Sequence, residues 1–218
     1  VLGTITAQEQ SAAQEELVTL VPLPEHSKAL FITLAYLEKY HYRKLKLNDS
    51  LSAVVFASYI DGLDPSKVIF LQSDLDYFEK YKFQLDDELL AEKLDFGFQI
   101  FNLYQMRVLD QYARIPEMLE KGFDYEKEEY YDLDLDEIDW ASSAEELNER
   151  WRLIVKGRAL NLLLAKKDWD EAKKILSDRN ARRIKSLYQN KSEDVFQVYL
   201  NALTSAYDPH TSYFSPIT

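Results

Sequence analysis

The segment from about Asp86 to Arg114 places the strongest constraint on how this chain can fold. Its apolar residues recur with helical spacing and cover most of a helix surface; they are Leu89, Leu90, Leu94, Phe98, Ile100, Phe101, Tyr104 and Val108. A helix that is apolar on most of its faces is packed by neighbours on several sides. The sequence therefore predicts one long central helix, which ends before Pro116 because proline cannot continue the helical hydrogen bonding.

The remainder of the chain also favours helices. Its 218 residues include only 5 Gly and 6 Pro, too few for the tight turns that connect many short strands. Capping residues and apolar spacing predict further helices. These helices begin at Ser27, near Asn48 or Asp49, at Ser73, at the paired boxes Ser142/Glu145 and Ser143/Glu146, near Asp168 and near Ser192. We predict an all-α fold, an irregular bundle of about seven helices with at most a short extended segment.

Composition along the chain suggests three parts. Residues 1–24 are polar, contain two prolines near their end, and are predicted to form a loose N-terminal leader. Residues 25–207 carry the helical pattern and are predicted to form one helical domain. Residues 208–218 follow the last helix and are predicted to form a junction to a domain that this chain does not contain.

The charge distribution excludes some classes of partner. The net charge is −12, which argues against nucleic acid or an anionic membrane as the main partner. Residues 150–185 are locally basic, with twelve Lys and Arg against four Asp and Glu, but aromatic side chains are not interleaved with the basic ones. We interpret them as charged faces of two helices that dock near an acidic stretch. No apolar run reaches the roughly 18 residues of a membrane span, so none is predicted.

That acidic stretch, residues 124–139, holds nine carboxylates against one lysine. Asp132, Asp134 and Asp136 match positions one, three and five of a calcium loop. However, Glu137 stands where position six requires glycine, and Ser143 stands where position twelve requires a bidentate glutamate. The alternation of acidic and apolar residues instead favours a short exposed strand at a solvated acidic edge. A calcium-responsive module is the weaker alternative.

No metal site, cofactor site or catalytic residue is predicted. Cysteine is absent, and His26, His41 and His210 lie far apart without the close spacing of zinc ligands. The most chemically diverse segment is "YDPHTSYFSP", residues 207–216, in which Asp208, His210 and Ser212 supply the residue types of a nucleophilic relay.

A structural interpretation of this segment is stronger than a catalytic one. The three residues lie within five positions, and no glycine-rich turn presents N–H groups to an oxyanion. The two prolines restrict the backbone, as suits a stiff exit from a helix. The residues assigned to this domain junction are Asp208, Pro209, His210, Thr211, Tyr213 and Pro216.

The same segment resembles the one that closes the N-terminal helical domain of tail-specific (C-terminal processing) proteases, immediately before their PDZ domain. Other stretches follow the order and spacing of that family: "HYRK" at 41–44, "LDPSKVIFLQSD" at 63–74, "LDDEL" at 85–89, "KLDFGFQIFN" at 93–102, "ARRIKSL" at 181–187 and "NKSEDVFQVYLNAL" at 190–203. The resemblance covers roughly residues 25–217.

The resemblance implies a periplasmic serine endopeptidase of a Gram-negative bacterium. In that family the PDZ domain captures an apolar C-terminus, a Ser–Lys dyad in a downstream core cuts the substrate, and flanking helical domains help to feed it. Such enzymes degrade or trim envelope proteins. Neither the Ser nor the Lys has a counterpart here, so the chain is expected to be the inactive N-terminal domain.

The partners expected from the resemblance are protein or peptide substrates, held by the missing PDZ domain and core, with an adaptor protein as a further candidate. The alternative is a free-standing helical interaction module. Its docking surface would be the acidic edge or an aromatic groove, for which 15 Tyr and 11 Phe are available.

Overall fold

The computed structural model describes residues 17–130 and 138–215. In these ranges the chain forms eight α-helices and no strand, so the predicted all-α irregular bundle is confirmed. The helices are α1 (Pro24–Tyr40), α2 (Asp49–Leu63), α3 (Gln72–Phe78), α4 (Leu85–Leu90), α5 (Asp95–Lys121), α6 (Ala144–Leu164), α7 (Trp169–Tyr188) and α8 (Ser192–Tyr207). A 3₁₀ turn, Glu79–Tyr81, follows α3. None of the helices described is long and apolar enough to cross a membrane.

The long central segment begins where predicted, at Leu85, but it is divided into two helices and its predicted end before Pro116 is wrong. α4 closes with a left-handed residue, Glu92 (φ 57°), and the Lys93 N–H bonds to the Glu88 carbonyl at 2.9 Å. α5 then continues through Pro116. It does so because Ile115, just before the proline, and Leu119, three residues after it, are buried. The free energy gained by this burial offsets the loss of the hydrogen bond that proline cannot form.

Two of the predicted caps are also wrong. α1 begins at Pro24, since proline suits the first helical position, and the Ser27 hydroxyl instead donates to the Glu92 carbonyl (2.8 Å). α3 begins before Ser73, and its first turn is capped by the Asp74 carboxylate, which accepts a backbone N–H at 2.9 Å. The predicted starts near Asn48, Ser143 and Asp168 are confirmed, and each of these side chains accepts a backbone N–H of its helix.

The last part of the predicted leader is anchored to the domain. Leu20 is buried, its backbone N–H donates to Asn102 Oδ1 (2.9 Å), and Asn102 Nδ2 donates back to the Leu20 carbonyl (2.8 Å). Within residues 17–23, Leu20 therefore contributes its side chain to the hydrophobic core. The boundary at residue 24 stays a prediction.

α5 is the central helix, because it takes part in both hydrophobic clusters of the described chain. The first cluster lies among α1, α2, α4, α8 and the N-terminal half of α5. The second lies among α6, α7 and the C-terminal half of α5. Its residues in the first are Phe98, Ile100 and Phe101, and those in the second are Val108, Ile115 and Leu119.

α5 and α8 pack tightly against each other in the first cluster at Gly97 of α5. A Cβ atom built there would lie 2.3 Å from Cδ1 of Tyr199 on α8, so only glycine fits. The Tyr59 hydroxyl of α2 donates to the Gly97 carbonyl (2.9 Å), and the Tyr199 hydroxyl donates to Glu88 Oε2 (3.4 Å). Three helices therefore meet around one backbone position.

Glu88 lies beside this crossing and is buried. Its Oε1 accepts the Phe96 N–H (2.8 Å), so it caps the first turn of α5 from outside that helix. Burial raises the pKa of Glu88 from 4.5 to about 7, with a smaller contribution from the charge of Asp95.

The raised pKa of Glu88 predicts a specific pH dependence of stability. The folded chain holds this proton more tightly than the unfolded chain, so the contribution of Glu88 to stability is fully present below pH 4.5 and is lost as the pH rises through about 7. Glu88→Gln, which keeps the acceptor without the charge, should raise the free energy of unfolding at pH 8 by about 2–3 kcal/mol.

Urea unfolding at a series of pH values measures this effect. The exposed neighbour Glu92 provides the control, because Glu92→Gln should keep the wild-type pH profile. A Glu88→Gln profile parallel to that of the wild type would contradict the prediction.

The segment between α2 and α3 is organised by one buried carboxylate. Asp64 Oδ1 accepts the N–H of Val68, and its Oδ2 accepts those of Ile69 and Phe70, all at 2.9–3.0 Å. The indole of Trp140 donates to the same Oδ2 at 3.1 Å. This carboxylate therefore accounts for the fold of much of "LDPSKVIFLQSD".

The basic face of α6 docks against the acidic stretch, as predicted. Glu129 accepts from Arg152 and Lys156, each at 2.7 Å, and from Lys127 at 2.6 Å. These hydrogen bonds hold the pKa of Glu129 far below its usual range, and the one from Arg152 has the largest effect. Residues 131–137, which include the calcium-loop positions and most of the predicted strand, lie outside the described residues, so both interpretations stay predictions.

Candidate functional site

The predicted junction begins with a sharp turn at the end of α8. Asp208 is extended (φ −163°, ψ 132°), the conformation that a following proline favours. Its N–H still bonds to the Thr204 carbonyl (3.2 Å), and the Thr211 N–H bonds to the Asp208 carbonyl (2.9 Å). The chain therefore turns away from the helix axis within four residues.

Two residues of "HYRK" hold this turn in place. Arg43 Nη1 donates to the Tyr207 carbonyl at 2.7 Å and so satisfies one of the free carbonyls at the end of α8. His41 Nε2 lies 3.2 Å from Thr211 Oγ1, and the His41 ring packs edge-on against Tyr207 at 5.6 Å. The two motifs are adjacent in space although about 165 residues separate them.

The other cation of "HYRK", Lys44, lies at the end of α1, where a positive charge is favourable. Its Nζ donates to the carbonyls of Glu38 and Lys39, at 2.9 and 2.8 Å. Arg43 instead donates to the Tyr207 carbonyl at the end of α8. This second contact has no signal in the local sequence, because it depends on how the two helices pack.

Asn201 attaches the segment further along. The Tyr213 N–H donates to Asn201 Oδ1 (2.7 Å), and Asn201 Nδ2 donates to the Tyr213 carbonyl (3.2 Å). The Tyr213 ring packs edge-on against Phe196 at 5.2 Å. The segment is thus docked on α8 by its backbone, and Phe214 next to it is 80 % exposed.

Three of the predicted junction residues, Asp208, His210 and Thr211, follow one another closely at the turn after α8. His210 and Pro209 are exposed, whereas Asp208, Thr211 and Tyr213 are half-buried. Within the described ranges, no hydrogen bond joins His210 to Asp208 or Ser212; the Asp208 carboxylate instead lies 3.5 Å from the Thr211 hydroxyl. Pro216 lies outside the described residues.

The other two histidines have structural partners. His26 is buried, stacks on Phe196 at 4.4 Å, and places Nε2 2.9 Å from Glu193 Oε2. Its Nδ1 accepts the Leu23 N–H at the start of α1 (3.2 Å). His41 contacts the junction as described above.

A groove of about 430 Å³ runs between α1 and the junction segment. We call it the junction groove. Its walls include Tyr36, Tyr40 and His41 on one side, and Thr211 and Tyr213 on the other. Tyr36 and Tyr40 of α1 are 62 % and 64 % exposed. A spacing of four residues is also typical of helix residues that face a core, so the sequence alone does not identify them as exposed.

Comparison with known proteins agrees with the resemblance noted in the sequence. The family described as "Tail specific protease N-terminal domain" matches residues 33–217. A tail-specific protease of Haemophilus influenzae is 36 % identical over 179 residues, which cover 82 % of this chain and 26 % of the relative. The chain thus spans about a quarter of the length of that relative. We conclude that this chain belongs to the tail-specific protease family and matches its N-terminal domain.

Proposed function

We propose that this chain is the non-catalytic N-terminal helical domain of a larger serine endopeptidase of the tail-specific type. The cutting is done by a Ser–Lys dyad outside this chain, and a PDZ domain there recognises the apolar C-terminus of the substrate. The substrates are envelope proteins in the periplasm of a Gram-negative bacterium, which the enzyme degrades or trims. The helical domain supports the architecture of the enzyme and the feeding of substrate.

One observation carries this proposal. The "HYRK" and "YDPHTSYFSP" motifs contact each other through Arg43 and His41, so the family resemblance falls on one structural unit. The turn at Asp208 and the docking of Tyr213 on Asn201 give the segment a defined direction as it leaves α8. A fixed exit of this kind suits a rigid connection to a following domain.

Two measurements test the proposal. An antibody raised to this chain should detect, in the periplasmic fraction of the source cells, a protein several times larger than 25.6 kDa. The 218-residue chain alone, purified and folded, should not cleave a peptide with an apolar tail. A cellular protein of only 25.6 kDa would instead support the free-standing helical module.

Arg43→Ala in the full-length protein should lower peptidase activity severalfold, because it removes the hydrogen bond that fixes the end of α8. The circular dichroism spectrum should stay helical, since one such bond contributes only about 1–3 kcal/mol. Arg114→Ala is the matched control, because Arg114 is exposed and, among the described residues, forms an ion pair only with Asp110 of its own helix. Equal activity of the two variants would contradict a mechanical role for the junction.

His210→Ala in the full-length protein is a separate test of the junction. We expect it to loosen the connection and lower activity, while the helical content of the domain stays unchanged. Since His210 is exposed in the domain itself, any partner must come from outside the described residues. Wild-type activity in this variant would show that His210 takes no part in the junction.

A further inference from the structure

A second cavity lies on the other side of the molecule, between α5, α6 and α7. Its volume is about 390 Å³, within the usual range for sites that bind small molecules. The apolar wall is formed by Ile115 of α5, Val155 of α6 and Leu176 of α7, and Tyr112 of α5 adds an aromatic ring. None of these residues takes part in the junction.

Three arginines line the same cavity. Arg158 comes from α6, and Arg179 and Arg183 lie one turn apart on α7. Among the described residues, none of the three forms an ion pair, and no carboxylate lines the cavity. All three are exposed to solvent, and Arg158 lies over the Trp151 ring at 5.7 Å. Four of the other arginines do form ion pairs, namely Arg107, Arg114, Arg150 and Arg152.

A buried polar side chain also lines the cavity. Asn180 is 6 % exposed, lines the cavity between the two α7 arginines, and its Oδ1 has no hydrogen-bond partner within the part of the chain that the structure describes. A buried acceptor without a donor is costly, and such groups are rare in folded proteins.

We propose that this cavity binds a small organic oxyanion that carries at least two negative charges. Phosphate and carboxylate groups both match the planar fork of arginine, so the shared chemistry is an oxyanion with several acceptor oxygens. The carbon skeleton of the ligand packs against Ile115 and Leu176. The site is independent of peptidase activity and goes beyond the function proposed above.

Calorimetric titration of the full-length protein tests this site. The two probes are glycerol 3-phosphate, which carries a phosphate and hydroxyls, and citrate, which carries carboxylates and a hydroxyl. At constant ionic strength, at least one probe should bind saturably with one site per chain. The stronger probe identifies the oxyanion class.

Variants assign the binding to this cavity. Arg179→Ala should weaken it at least about tenfold, the effect of losing one hydrogen bond between charged groups. Arg182→Ala removes the same charge from an exposed position of α7 that does not line the cavity, and should change the affinity less than about twofold.

Absence of saturable binding by both probes would overturn the proposal. So would equal weakening by Arg179→Ala and Arg182→Ala, since that result would mean a diffuse attraction to the basic surface of α7. Circular dichroism of each variant confirms that the protein is folded, and loss of peptidase activity has no bearing on either outcome.

Discussion

Gly97→Ala should lower the free energy of unfolding by about 2–3 kcal/mol, the usual cost of forcing an extra carbon into a packed core. The new Cβ would lie 2.3 Å from the Tyr199 ring, which is itself fully buried and has no room to retreat. This clash exceeds the gain of up to about 1 kcal/mol that alanine normally brings to a helix interior. Urea unfolding followed by circular dichroism measures the difference.

Gly62→Ala is the matched control for this substitution. Gly62 lies in α2, and a Cβ atom there would have no neighbour within 4 Å. The expected result is a stabilisation of about 0.5–1 kcal/mol, since alanine restricts the unfolded chain and favours the helix. Tyr199→Leu combined with Gly97→Ala should recover part of the loss; strictly additive effects would show that the clash is not the cause.

Asp64→Ala should destabilise the chain by about 4 kcal/mol, because it leaves several buried N–H groups without an acceptor. The carboxylate accepts three backbone N–H groups and the Trp140 indole, and Asp64 is only 2 % exposed. The segment joining α2 to α3 should lose its fixed conformation. The near-ultraviolet circular dichroism signal of Trp140 should weaken at the same time.

Asp61→Ala controls for the loss of charge in this test. Asp61 is exposed near the end of α2, three residues before Asp64, and its replacement should change stability by less than about 0.5 kcal/mol. Asp64→Asn retains one oxygen acceptor and should fall between the two. If Asp64→Ala unfolds at the same urea concentration as Asp61→Ala, the carboxylate does not organise this segment.

Local signals in the sequence were sufficient for several helices. α8 runs from Ser192 to Tyr207 as predicted, because acidic residues in its first turn and Pro209 just beyond its end mark both boundaries. α7 and α6 begin at side chains that cap them, Asp168 and Ser143. These features act over four residues or fewer, so they can be recognised without knowledge of the packing.

The division between α4 and α5 could not be predicted in the same way. Leu89 and Leu94 are both buried, so the apolar pattern of the sequence continues across the break. A turn nevertheless lies between the two residues. Pro116 produced the opposite error, because the burial of its neighbours keeps α5 helical past a residue that normally ends a helix. In both places long-range packing overrides the local preference.

The sequence by itself determined the fold class, most helix starts and the family, because helical periodicity, capping residues and short motifs are local properties of the chain. Only the tertiary structure decided which side chains meet. Arg43 reaches the Tyr207 carbonyl, and Asn180 lies beside three arginines from two helices. Such contacts depend on the relative positions of whole helices, which are set by the burial of α5 in two cores rather than by any local signal.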